Sequence, residues 1–121
     1  MVFIETSLFT KYRSNYLNDE AYRTFQDFLM QQPEAGDIIQ GAGGLRKLRW
    51  NLGSDGKRGG IKIIYYFKIK KSHIYLMTLY SKNEMTDLST QEKKFLKQLL
   101  QEWRLWQNVI YLKNLEKELK K

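Results

Sequence analysis

The stretch Leu45–Lys82, LRKLRWNLGSDGKRGGIKIIYYFKIKKSHIYLMTLYSK, carries both the charge and the strand patterning of this chain. Ten basic residues lie in it: Arg46, Lys47, Arg49, Lys57, Arg58, Lys62, Lys68, Lys70, Lys71 and Lys82. Its single acid is Asp55, so the stretch is +9 against +8 for all 121 residues, and one third of the chain holds the whole excess. The same stretch reads as three strands. Lys47, Arg49 and Asn51 alternate with Leu48, Trp50 and Leu52, the period of two that gives a strand one apolar and one polar face. Ile61, Ile63, Tyr65 and Phe67 form one face of a second run, with Lys62, Ile64, Tyr66 and Lys68 on the other. Ile74–Ser81 is a third run, rich in strand-favouring residues. Cations standing on one sheet face suit a polyanion with spaced phosphates. A solvated outer face would carry lysines too, and charge alone leaves both readings open.

Working outward, Val2–Glu5 reads as a short first strand. Ser7 is placed to cap a helix running through Leu8, Phe9, Tyr12 and Tyr16. Asn18 and Asp19 break that helix and start another, in which Tyr22, Phe25, Phe28 and Leu29 recur at helical spacing up to Gln32, and Pro33 ends it. These aromatic and aliphatic residues are core candidates. Glu34–Gly44 reads as a loop whose Gly36, Gly41, Gly43 and Gly44 permit backbone angles closed to other residues. It lacks the Lys-Ser/Thr ending of a phosphate-binding loop. Asp55-Gly56 signals a turn in the 53–60 connection, and Lys70–Ser72 should turn the next hairpin. After Lys82, Ser89 and Glu92 have capping-box spacing. The helix they open has Phe95, Leu96, Leu99, Leu100, Trp103 and Trp106 on one face and continues through Ile110, Leu112, Leu115 and Leu119; its distal part either docks on a partner or frays. The expected order is β-α-α-β-β-β-α, an α+β domain.

A chain of 121 residues fits one domain, and 42% hydrophobic residues suffice for a core. The absence of cysteine excludes disulfides and thiolate metal sites. The N-terminal segment lacks the basic start and apolar centre of a signal peptide, and no apolar run reaches bilayer length, so a cytosolic protein with no membrane partner is expected. A sequence pI near 9.6 points to an acidic partner, either nucleic acid or an acidic protein.

One histidine, no cysteine and no clustered carboxylates in the basic region leave little for metal catalysis, and no metal or cofactor is expected. His73 lies at a hairpin edge and reads as a turn residue. A pair of histidines for acid-base RNA cleavage is impossible, and no nucleophile elbow or triad spacing is present. Cationic catalysis remains. Cleaving RNA by attack of its own 2′-OH needs an aligned nucleophile, stabilised charge on the phosphorus oxygens and help for the leaving 5′-oxygen. Clustered Lys and Arg supply much of this, and crowding by like charges lowers a lysine pKa toward that of a base. Lys47 and Arg49 share a face by alternation, and Lys62 can lie on the neighbouring strand.

Several pieces, taken together and in order, resemble the HigB-like branch of the RelE/ParE toxin superfamily of bacterial toxin–antitoxin modules: GDIIQGAGGLRKLRW, GKRGGIKIIYYF, IYLMTLYSKNEMTDL and the opening FIETSLFTKYRSNYLNDEAYRTFQ. The resemblance covers roughly residues 2–104. It implies a toxin domain over 1–104, with 105–121 a helical extension of no assigned role. It further implies a RelE-like small twisted sheet packed on helices, and a ribosome-dependent mRNA interferase that cuts mRNA in the ribosomal A site. The partners it implies are the ribosome, mRNA and a cognate HigA-like helix-turn-helix antitoxin, through which alone operator DNA would be met. By position, Lys47 and Arg49 match the basic pair of the second strand, where one residue is a candidate base and both hold phosphate. Lys62 matches an arginine that stabilises the transition state. Lys82 and Asn83 match the basic segment after the fourth strand, where a cation assists the cleaved phosphate. Arg46, Lys57, Arg58, Tyr80 and Asn83 are the expected RNA- or ribosome-binding set around the catalytic Lys47, Arg49, Lys62 and Lys82.

The chain departs from the branch at two places. Lys62 keeps the charge of the relatives' arginine but not its planar fork. The C-terminal tyrosine of some RelE-like sites falls near Ser89, and Tyr80 is its possible substitute. Two other readings share the fold: a gyrase poison of the ParE type, which generally lacks the basic cluster, and a non-catalytic RNA- or ribosome-binding module.

Overall fold

The computed structural model describes residues 1–52, 60–81 and 88–102. The chain divides into two compact units, Met1–Leu88 and Ser89–Lys121.

The first unit is α+β. A mixed five-stranded sheet has the order β1-β5-β4-β3-β2, built from β1 (Val2–Glu5), β2 (Asp37–Ile38), β3 (Arg46–Trp50), β4 (Ile61–Lys68) and β5 (His73–Ser81). From β2 onward each strand pairs antiparallel with the next, and β5 finishes parallel to β1. Between β1 and β2 come helices α1 (Ser7–Tyr16) and α2 (Asp19–Gln31). Their apolar residues Phe9, Tyr22, Phe25 and Leu29, with Leu17 between them, pack with Ile61, Ile63, Tyr65, Ile74, Leu76 and Leu79. Burial of one such side chain contributes about 1.5–3 kcal/mol, which is why the alternation of β4 decides which face meets the helices.

Helix ends follow local chemistry, with one correction. The cap of α1 is Thr6, not Ser7: the Phe9 N–H donates to Thr6 Oγ1 at 3.0 Å. By residue type alone serine is the better cap. Thr6 prevails because its hydroxyl also donates to Met77 O, at 2.6 Å, deep under β5. Asn18 caps α2, accepting from Ala21 N at 2.8 Å, and α2 stops ahead of Pro33.

Two features of the sheet were not expected. Residues Asp37 and Ile38, read as loop, pair with Lys47 and Arg46. A turn using positive φ at Gly41, Gly43 and Gly44 folds them back onto β3; the pairing comes from the neighbour strand rather than from their own propensity. At Gly44 a Cβ would stand 2.9 Å from the Tyr66 ring, so only glycine fits. Second, Ile64 pairs with Thr78 but Tyr65 pairs with Leu76, leaving Met77 as the extra residue of a bulge. The bulge shifts the phase of β5, so that Leu76 and Ile74 face the helices on one side of it and Leu79 does so on the other.

The β4–β5 turn falls where Lys70–Ser72 implied, as a short 3-10 segment, Ile69–Lys71, closed by Ser72 at φ 51°. In the second unit, residues 90–102 are helical. The capping box forms: Ser89 N–H donates to Glu92 Oε1 at 3.0 Å and Glu92 N–H to Ser89 Oγ at 3.1 Å. Leu96 and Leu100 are buried, whereas Phe95, expected on the same apolar face, is 57% exposed. The expected continuation of this helix beyond 102, including Trp103, Trp106 and the 105–121 extension, lies outside the described residues. Among the described residues no helix is long and apolar enough to cross a membrane.

Candidate nucleic-acid interface

Strand pairing brings three of the candidate residues into one row. Arg49 on β3 pairs with Lys62 on β4, and Lys62 pairs with Tyr80 on β5. Neighbouring strands lie about 4.8 Å apart, so the row spans about 10 Å. One step along, Lys47 pairs with Ile64 and Ile64 with Thr78. Paired residues share a face, which puts Lys47, Arg49, Lys62, Thr78 and Tyr80 together on the face turned away from α1 and α2.

The opposite side of the same strands is closely packed. Trp50 packs edge-on against Phe25, with ring centroids 5.2 Å apart, and against Phe28 at 5.2 Å. The start of β4 is drawn in equally closely: a Cβ at Gly60 would lie 2.5 Å from the Trp50 carbonyl oxygen. Glycine at that point lets β4 close onto the end of β3 and sets Lys62 beside Arg49.

The face is not uniformly polar. Arg49 is exposed and Lys47 and Lys62 are half-buried, but Ile64, Tyr75 and Tyr80 are buried on it, Tyr80 to 4% exposure. The expected clean cationic face is therefore confined to the end holding Arg49 and Lys62.

Arg46 stands apart from this group. Alternation puts it on the helix side of β3, where Nη1 donates to Glu34 O at 3.1 Å and to Gly36 O at 2.8 Å. Tyr65 works beside it. Its hydroxyl donates to Pro33 O at 2.9 Å and accepts from Gly36 N at 2.8 Å. Together the two side chains fasten the segment after α2, a structural duty that the sequence reading of Arg46 as an RNA contact missed. Its position next to Lys47 was the available signal, since adjacent strand residues face opposite ways. Lys57, Arg58, Lys82 and Asn83 lie outside the described residues.

His73 does not join the row. It pairs with Lys68, six residues along β4 from Lys62. Burial holds its pKa below the ordinary value, helped by Lys71 and Lys68. Among the described residues no three carboxylates or imidazoles gather as metal ligands.

On the helix side, an open cleft of about 400 Å³ lies between the α1–α2 junction and the end of β3, lined by Tyr16, Asn18, Glu20, Trp50 and Asn51 among others. With Glu20 on its rim it does not suit a phosphate. What Arg49 and Lys62 can do is hold anionic oxygens with a guanidinium fork and an ammonium a strand apart, while Tyr80 is buried at the third position of the row. No family model matches the chain.

Proposed function

We propose that this chain is the toxin of a toxin–antitoxin module, a ribosome-dependent endoribonuclease of the RelE/HigB-like kind. The observation that carries the reading is the pairing of Arg49 with Lys62 on the sheet face turned away from α1 and α2. The 2′-hydroxyl of the RNA gives up its proton to solvent as its oxygen attacks the adjacent phosphorus, the bond to the 5′-oxygen breaks, that oxygen takes a proton from solvent, and a 2′,3′-cyclic phosphate and a 5′-hydroxyl result. Negative charge grows on the phosphorus oxygens as this happens. Arg49 holds those oxygens through its fork, Lys62 supplies a point charge where it develops, and Lys47 binds along the strand. Such a constellation is strong in positioning and charge and weak in proton transfer. A substrate already bent into a reactive shape suits it, and mRNA held in the ribosomal A site is such a substrate. In this reading a cognate helix-turn-helix antitoxin neutralises the toxin and alone links it to operator DNA.

The test is induced expression in bacteria with mapping of mRNA 5′ ends. Codon-phased cuts are the expected result. DNA damage without cuts would indicate a gyrase poison, and growth arrest with neither would indicate a non-catalytic ribosome-binding module.

A further inference from the structure

The turn end of the β4–β5 hairpin gathers a second set of features that the row at Lys62 does not use. Lys68 closes β4, Ile69–Lys71 form the turn, and Lys70 and Lys71 are exposed on it. From Ile61 to Ser81 the chain has four lysines and no acid. The charged groups that depress the His73 pKa include Lys71 and Lys68, so the local field is cationic. Aromatic rings adjoin it on the same face as Lys62. Tyr66 and Tyr75 have ring centroids 6.0 Å apart, His73 and Tyr75 6.2 Å, and both Tyr66 and His73 are half-exposed.

We infer that this hairpin end is a second RNA-binding foothold, in which Lys70 and Lys71, with Lys68, take phosphates and the rings of Tyr66 and His73 offer a stacking surface. Cations interleaved with aromatic rings are the combination that binds RNA strands without reading sequence. Six residues of β4 separate Lys68 from Lys62, or about 20 Å at the rise of a strand. Buried Ile64 and Tyr75 occupy the face between. The two footholds are therefore separate contacts, and an RNA or a ribosome gripped at both is fixed in orientation as well as held. An anionic membrane is the competing acceptor for a basic tip. Ile69, 68% exposed, with Val2 and Met1 at the neighbouring N-terminus, are the exposed apolar side chains beside it, and three side chains make a narrow surface to bury in lipid. The inference rests on the RNA-directed reading above, but it concerns binding and not cleavage.

The experiment compares the full chain with the double variant Lys70→Gln/Lys71→Gln and with Lys70→Arg/Lys71→Arg. Binding is measured against ribosomes, protein-free ribosomal RNA, and phosphatidylcholine vesicles with and without phosphatidylglycerol, across a salt series. The Gln variant should bind ribosomes and ribosomal RNA at least tenfold more weakly at low salt. Its log–log salt slope should be shallower by about 1.4, two contacts at roughly 0.7 each. The Arg variant should retain binding, and unchanged melting curves would show that both variants fold. An unaltered affinity and slope for RNA would overturn the inference, as would a loss seen on anionic vesicles and not on RNA. If the parent never cuts mRNA in cells yet the Gln variant still loses RNA binding, the foothold stands and the nuclease reading falls.

Discussion

Arg49 and Lys62 stand opposite each other on β3 and β4, on the sheet face turned away from α1 and α2. Two cations placed side by side repel, and the pairing is upheld by what lies beneath: Trp50 against Phe25 and Phe28, and Gly60 close under the Trp50 carbonyl.

The sharpest consequence concerns Lys62. Removing a donor that acts in the transition state costs about 3–4 kcal/mol, or 10²–10³ in rate. Lys62→Ala should abolish growth inhibition while leaving antitoxin binding intact, and Lys62→Arg should preserve or raise it by restoring a bidentate fork. Growth after induction at matched soluble levels decides the matter, with antitoxin pull-down as the folding control. An alanine variant as toxic as its parent would reduce the basic row to a docking surface.

Binding to ribosomes should weaken steeply with salt, each phosphate contact contributing a log–log slope of roughly −0.7. Cleavage should follow the ribosome: naked mRNA cut poorly, ribosome-bound mRNA cut well. Primer extension on the same message with and without ribosomes reads this directly. Efficient metal-free cutting of purified mRNA at low protein concentration would contradict a site built on charge and positioning.

Tyr65 ties the segment after α2 to the sheet through Pro33 O and Gly36 N. Tyr65→Phe leaves the buried Gly36 N–H and the partly buried Pro33 carbonyl without that partner and should cost about 1–3 kcal/mol, read as a lower urea midpoint. Gly36→Ala should be destabilising by a different route, because its Cβ would meet the Tyr65 ring at 2.8 Å and the Arg46 Cβ at 3.1 Å. A Gly36→Ala protein as stable as the parent would mean that this segment yields easily and that the Tyr65–Arg46 clamp contributes little.

Tyr22 sets a limit on alkaline stability. Burial pushes its pKa above the ordinary 10.0, and its hydrogen bond to Glu5, at 2.9 Å, adds to the shift. The unfolded chain then loses this proton before the folded one does. The contribution is fully present below pH 10 and is lost as pH rises above it toward the folded pKa. Urea midpoints should therefore fall from pH 9 to pH 11, and Tyr22→Phe should make that fall shallower. An equal fall in parent and variant would place the alkaline sensitivity elsewhere.

Much of this protein is legible in its residues because the relevant physics is local. Alternation in Arg46–Trp50 and Ile61–Lys68 marks strands, Asn18 and the Ser89–Glu92 box mark helix starts, and Pro33 marks a helix end, each through interactions within a few residues. The concentration of charge between Leu45 and Lys82 is likewise a property of sequence alone. Tertiary structure decided what depends on partners far along the chain. Whether Ser7 or Thr6 caps α1 turns on Met77, 71 residues from Thr6. Whether residues 37–38 form a strand turns on the edge that β3 offers them. Most of all, which cations share a row turns on register, and the β3–β4 ladder, with Gly60 close against the Trp50 carbonyl, pairs Arg49 with Lys62. Composition makes the stretch basic; only the pairing of β3 with β4 puts Arg49 opposite Lys62 and sends Arg46 to the other face.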